Sequence, residues 1–389
     1  MPEKTVLQRI SVDVDDDTAA RLKIKWRRDL PWGKAYCIPR GMLEDFSAKA
    51  RERLEALVNE SMMGKGQVKH TGALLKELAQ AGNRLYKALF HDPGKSGAAT
   101  KIQKRLEGLT TGHRISFSMN VPIHVPWGLV YDGDPEALSG KADDIDLDRY
   151  RNFWCIKYHV ASVYYTVDPE GANTPVAAES LRVHSIVNEG VFNRTSPFLK
   201  DCGGPFWEWM VSRFGPPLHS QKEWLSKWTA EANKVGLLYF YSHANGANIG
   251  LGSDTISAND LQQDLGEAVA EGAPPCLVFV NGCSTAVGSP TGGFLEATSG
   301  SRFCGFIGAE ASIPEVYALR FGSAFICELM RGERTVLEVM DALREQHWPL
   351  SLLYNVYCVP DLRIQPESTS LPPAILDNFC DFDLGTKGI

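Results

Sequence analysis

The spacing of apolar and polar positions divides the chain into two parts with different rhythms. At the start, VLQRISVDV and RLKIKW alternate residue by residue, which predicts half-exposed strands. GMLEDFSAKARERLEALVNE and GALLKELAQAGNRLYKALF then carry apolar residues at helical spacing. In the second, Leu74, Leu75, Leu78, Leu85 and Leu89 are separated by charged positions. HRISFSMNVPIHVPWGLVYD returns to a strand, broken by Pro122 and Pro126 because proline has no amide to give to a ladder.

Over 167–180, VDPEGANTPVAAES holds small and turn residues without an apolar period, the pattern of a linker. After it come strand LRVHSIV, helix KEWLSKWTAEANKV, strand GLLYFYS, helix SANDLQQDLGEAV and strand CLVFVNG. A helix near GGFLEATSG, strand FCGFIGA and helices VYALRFGSAFICELM and TVLEVMDALREQ follow. Short, fully apolar strands alternating with amphipathic helices predict a mostly parallel sheet covered on both faces. The expected organisation is α/β: an N-terminal lobe over 1–170, a linker over 171–180, a second lobe over 181–366 and a tail over 367–389.

A length of 389 residues suits two lobes, and 44% hydrophobic with 22% charged residues lies within the range of soluble globular proteins. The net charge of −7 comes from scattered residues, so no nucleic-acid footprint is expected. MPEKTVLQRISVDVDDD has no apolar signal core and no run is long enough for a membrane span, so the expectation is a cytoplasmic protein without a membrane partner. Nine cysteines, an odd number without C-x-x-C pairs, argue against a disulfide framework and a zinc ribbon. Most lie in apolar runs, where a thiol is a small hydrophobe.

In open α/β sheets, reactive groups gather beyond the carboxyl ends of the strands. Two consecutive strands end that way here: LLYFYSH delivers His243 and CLVFVNGC delivers Cys283. A thiol with a pKa near 8.5 becomes a useful nucleophile beside a cation or dipole. Cys283 stands where a strand is expected to give way to a turn and helix, with amides able to hold an oxyanion. An imidazole at 243 can protonate a leaving amine and later activate water. The bland alternatives are a packing cysteine and a surface histidine. GKSG at 94–97 fails as a phosphate loop, because the upstream glycine would fall at Leu89 inside a helix. GSPTGG at 288–293 lacks the lysine of such a loop and reads as a flexible site loop. H-E-x-x-H and G-x-S-x-G are missing from the sequence, which disfavours zinc peptidases and serine α/β-hydrolases, and no metal or cofactor is expected.

The order of strand, His and small residue, then about 40 residues later strand, small residue and Cys, resembles the caspase-like cysteine peptidases of clan CD. YSHANG, IGLGSDTISANDL, VFVNGCSTAVG, the stretch from GGFLEATSG to ELMRGE, and YNVYCVPDLRI narrow the resemblance to the CHAT branch. LAQAGNRLYKALF and HVPWGLVYDG are similar to the helix and Pro-Trp strand before the peptidase half, so the resemblance covers most of 70–366. It implies a caspase-like open sheet flanked by helices, preceded by a pseudo-caspase-like lobe. It also implies a Cys283/His243 dyad and an oxyanion hole from the amides of Cys283 and Ala244; relatives often have glycine at the latter position. The loop GAEASIPEV offers Glu310 and Glu315 for a substrate pocket favouring Arg or Lys, with Asp254 a further candidate.

The implied activity is cleavage of a protein substrate, with a pore-forming or toxic partner in a bacterial defence or cell-death system among the options. Control would come from a separate regulatory or sensor subunit, from the first lobe or from self-cleavage. A catalytically silent caspase-fold interaction module and a hydrolase or transferase acting on a small amide stay open.

Overall fold

The computed structural model describes residues 9–27, 34–63, 71–91, 97–109, 111–141, 145–164, 176–177, 182–202, 204–266, 276–287, 293–298, 303–359 and 361–365. The chain divides into two compact units, Met1–Leu57 with Lys69–Tyr165, and Val58–Val68 with Thr166–Ile389.

The first unit opens with an antiparallel meander of β1 (Arg9–Thr18), β2 (Arg21–Arg27) and β3 (Lys34–Pro39). β2 alternates as its sequence predicts, with Leu22, Ile24 and Trp26 fully buried. Helices α1 (Arg40–Met63), α2 (Thr71–Leu89) and α3 (Ala98–Glu107) lead to β4 (Arg114–Met119), and the short α4 (Trp154–Lys157) leads to β5 (His159–Tyr164). The sheet order is β3-β2-β1-β4-β5, with β1, β4 and β5 parallel. Its core is aromatic: Phe117 stacks on Trp127 at 3.8 Å between centroids, and Trp154 lies 6.2 Å from Phe117. Helix α2 approaches the chain at Leu129–Tyr131 so closely that a Cβ at Gly82 would sit 2.2 Å from the Leu129 carbonyl. A glycine in mid-helix costs about 1 kcal/mol against alanine, and here it admits a hydrogen bond from Tyr131 N–H to the Gly82 carbonyl at 3.2 Å.

In the second unit β6 (Val176–Ala177) pairs with the much later β15 (Ile364–Gln365). These two residues are the described part of the expected linker; its remainder and the expected tail lie outside the described residues. β7 (Arg182–Val187) is followed by α5 (Glu189–Cys202), α6 (Gly204–Phe214) and α7 (Gln221–Glu231). Next come β8 (Val235–Tyr241), β9 (His243–Ala244), β10 (Asn248–Leu251), β11 (Asp254–Ser257), α8 (Ala258–Gly266) and β12 (Cys276–Asn281). The unit continues through α9 (Phe294–Ala297), β13 (Phe303–Ala309), α10 (Glu315–Met330), α11 (Val336–Gln346) and β14 (Tyr354–Cys358).

The main sheet runs β14-β13-β12-β8-β7; all but β14 are parallel. Every residue of β8, β12 and β13 is buried, matching the continuous apolar text of strands covered on both faces. Helices α5 and α6 were not evident from periodicity, since Pro197 interrupts the helical signal of the first. The fold is mixed α/β with parallel-rich sheets flanked by helices, as expected. Among the described residues no helix is long and apolar enough to cross a membrane.

Candidate active site at two strand ends

β8 and β12 pair in parallel, with Tyr241 opposite Asn281 at the last rung. His243 and Cys283 each lie two positions past that rung, so the register brings both to the same level at neighbouring strand ends. Gly282 makes the approach close. A Cβ there would meet the Ser242 carbonyl oxygen at 2.6 Å and the Ala244 Cβ at 2.7 Å, separations that atoms do not tolerate without backbone movement.

Beyond β8 the chain turns back. His243 pairs with Gly250 and Ala244 with Ile249. Asn245 closes the bend: its side-chain oxygen accepts from the amides of Ala247 at 3.0 Å and Asn248 at 2.9 Å, the local Asx geometry that suits Asn-Gly text. Asp254 stands across from Leu251 in the outer strand of this hairpin, one strand removed from β9.

Cys283 is partly exposed, whereas Cys155, Cys276, Cys304, Cys327 and Cys358 are buried. Its Sγ accepts from the Ile313 amide at 3.4 Å, so the loop after β13 holds the sulfur. Ser284 has φ +52°, the one positive φ among the described non-glycine residues, a strained setting of the kind that clusters at functional sites. The turn is tied to β13 by Ser284 N–H to the Ala311 carbonyl at 2.9 Å and Ala286 N–H to the Ala309 carbonyl at 2.9 Å. Inside it, the Thr285 hydroxyl donates to the Val280 carbonyl at 3.1 Å and accepts from the Ala309 amide at 2.9 Å.

As the sequence predicts, the strand gives way to a turn, described through Val287, and a helix forms in GGFLEATSG as α9; the amides of Ser284 and Ala286 are engaged across to β13 and its loop. The candidate oxyanion amides remain those of Cys283 and Ala244. Ala244 N lies 3.4 Å from where a Cβ of residue 282 would be, beside the Gly282–Cys283 peptide. Ala244 does not need the positive φ that would demand glycine.

His243 is exposed, and its Nε2 meets two charged groups: Arg194 NH2 at 2.9 Å and Glu315 Oε1 at 3.4 Å. Arg194 and Glu315 also form a two-point fork, NH2 to Oε1 at 2.7 Å and Nε to Oε2 at 3.1 Å. Its hydrogen bonds to the Glu315 carboxylate make the guanidinium still harder to deprotonate. Glu315 opens α10 after Pro314, as its sequence predicts. Tyr241 anchors both sides of the fork, its hydroxyl lying 2.9 Å from the Glu315 carbonyl and 3.2 Å from Thr195 Oγ1.

Glu310 follows β13 directly and is only 1% exposed. Its carboxylate accepts from Asn355 Nδ2 at 2.8 Å and from the Tyr357 hydroxyl. It is therefore no solvated loop residue but a buried carboxylate held by β14.

Arg194 and Asn281 were not singled out by sequence. Asn281, beneath Gly282, donates to the Tyr239 hydroxyl at 3.0 Å and the Ala318 carbonyl at 2.6 Å and accepts from the Tyr354 hydroxyl at 2.6 Å. Burial pushes both phenols well above their usual range, so they stay neutral, Tyr239 accepting from Asn281 and Tyr354 donating to it. An asparagine ending an otherwise apolar strand was the available signal; Arg194 had none.

No protein-family model matches the sequence, and no curated protein matches it. In three dimensions the chain is similar to two crystal structures of the Saccharomyces cerevisiae separase–securin complex, at 2.6 and 3.0 Å resolution. The TM-scores are 0.50 and 0.51 at 11% identity, over 92% of this chain. The fold is caspase-like. The chain spans 30% of the length of the chain it matches, and at this identity the likeness is one of fold.

Proposed function

We propose that this chain is a cysteine endopeptidase of the CHAT type, with Cys283 as nucleophile and His243 as its proton partner. The observation that supports the reading is the register of β8 and β12, in which His243 and Cys283 each follow the last rung by two positions, with the close backbone approach at Gly282 between them. His243 takes the thiol proton and the thiolate attacks the scissile carbonyl. The amides of Cys283 and Ala244 steady the oxyanion. His243 then returns its proton to the leaving amine, and water, deprotonated by the same ring, hydrolyses the acyl-enzyme.

The substrate is a protein with a basic residue before the cut. Of the three candidate carboxylates, Glu315 is already matched by Arg194 and Asp254 lies on the outer hairpin strand. Glu310 is the floor candidate, three residues before the Ile313 amide that holds the sulfur. Separase is seen in complex with securin, and control of this chain by a separate regulatory or sensor protein fits the same logic. A pore-forming or toxic protein cleaved in bacterial defence is the substrate class we favour.

The test is incubation of the wild type and Cys283→Ala with a peptide library, with cut sites read by mass spectrometry. The wild type cuts after Arg or Lys and the variant does not cut; equal patterns end the proposal. The contact of Arg194 with His243 favours a second reading, a catalytically silent interaction module. It predicts that an electrophilic peptide-ketone probe labels Cys283 no faster than Cys304 or Cys327, whose thiol burial pushes far up.

A further inference from the structure

His243 presents one ring nitrogen to two groups that demand opposite protonation states. A guanidinium only donates, so the 2.9 Å contact from Arg194 NH2 is a hydrogen bond when Nε2 bears a lone pair. In a neutral imidazole that places the proton on Nδ1. A carboxylate only accepts, so Glu315 Oε1, at 3.4 Å, bonds the ring when Nε2 bears the proton and Nδ1 the lone pair. The separate contact of Arg194 Nε with Glu315 Oε2, at 3.1 Å, gives the guanidinium a hold on the carboxylate that does not involve the ring. Through Tyr241, α5 and α10 are fastened to the end of β8 from which His243 projects.

We infer that Glu315 is the positioning residue of His243 and that Arg194 competes with it for Nε2, so that this pair selects the tautomer of the ring. The inference rests on the Cys–His reading above. With Nε2 committed to the pair, Nδ1 is the nitrogen that exchanges a proton with Cys283. With Arg194 donating to Nε2, a neutral ring has its hydrogen on Nδ1 and cannot take another from the thiol, so the site rests. When Arg194 NH2 withdraws, solvent carries the ring proton from Nδ1 to Nε2, and the new Nε2–H donates a hydrogen bond to the Glu315 carboxylate. The side chain of His243 is 59% exposed, so water reaches it. The S–H bond of Cys283 then breaks, its proton forms the new Nδ1–H bond, and the electron pair stays on sulfur. The charged or titratable partners of the ring in this scheme are Arg194 from α5, Glu315 from α10 and the thiol at the next strand end.

The experiment is ¹⁵N-histidine NMR on the full chain, in the wild type, Arg194→Gln and Glu315→Gln, beside steady-state cleavage kinetics. The wild type shows His243 with its proton on Nδ1, Arg194→Gln moves it to Nε2, and Glu315→Gln leaves it on Nδ1. Glu315→Gln lowers kcat about ten- to a hundredfold with little change in KM. That is less than the wrong-tautomer loss at a fully buried carboxylate, because Glu315 is partly exposed. Arg194→Gln raises kcat.

A wild type protonated on Nε2, or a tautomer that neither variant moves, overturns the inference. So does cleavage by Glu315→Gln at the wild-type kcat, which leaves the peptidase reading standing. A tautomer that responds as stated in a wild type that cleaves nothing supports the selection and ends the peptidase reading instead. Both substituted side chains are partly exposed, so the variants keep the fold, which circular dichroism checks.

Discussion

In the first unit, β4 runs out at Met119 into Asn120, whose amide bonds the Val14 carbonyl and whose side chain donates to Asp15 at 2.7 Å. The chain then lays the buried Val121, Ile123 and Val125 along its path, and the Tyr164 hydroxyl at the end of β5 donates to the Ile123 carbonyl at 2.9 Å. In the second unit, β8 and β12 run out into Ser242–His243 and Gly282–Cys283, with the imidazole exposed and the thiol partly so. Among the described residues both main sheets have five strands, with β1, β4 and β5 parallel in the first and β7, β8, β12 and β13 parallel in the second. What separates them is how the strand ends are finished: a buried apolar run follows one, whereas the other ends in small and polar residues with His243 exposed and Cys283 partly so. On the proposed reading, such a sheet carries chemistry only where the residues past the last rung permit it.

The comparison breaks most sharply on Cys283→Ala and His243→Ala, each expected to lower cleavage about 10⁴-fold or more. Neither should move the urea midpoint, because neither side chain lies in the core. A loss of stability in place of activity would make the second sheet as purely structural as the first. The converse substitution is Trp127→Ala. It removes the ring stacked on Phe117 and should cost about 3 to 5 kcal/mol of unfolding free energy, measured by denaturant titration.

Acid should affect the second unit through His347, which burial and then Arg320 pull down to about 4. Its folded pKa lies below the unfolded value near 6.5, so its contribution is present above pH 6.5 and lost as pH falls toward 4. The loss is on the order of 2 to 3 kcal/mol, read as urea midpoints at pH 7, 5.5 and 4.5. His347→Gln should flatten that dependence, and an unchanged profile would place the acid response elsewhere. The smallest of the stability losses is that of Gly282→Ala, about 1 to 3 kcal/mol from the clash with Ser242 and Ala244. Its labelling of Cys283 by an electrophile should fall far more than that suggests. Unaltered labelling would mean that the contact at Gly282 does not set the spacing of the two strand ends.

Periodicity made the second half of the chain legible because strands buried on both faces write themselves as continuous apolar runs. The ends of those runs, YSH and VNGC, marked His243 and Cys283. Arg194 stayed hidden: it lies 49 positions before His243 and 121 before Glu315, in α5, whose text Pro197 interrupts. Glu310 was visible as a carboxylate after a strand, yet its burial depends on Asn355 and Tyr357, 45 and 47 positions away on β14.

The sequence by itself determined the α/β class, the strands of the second sheet and the points where they stop, since these follow from the local spacing of apolar residues. The tertiary structure decided which groups meet past those points: that the Ser284 and Ala286 amides bond to β13 and its loop, that Asn355 and Tyr357 of β14 hold the Glu310 carboxylate, and that Arg194 and Glu315 share one nitrogen of His243. Register and helix packing set those meetings, and both join residues too far apart in the chain for any local pattern to record.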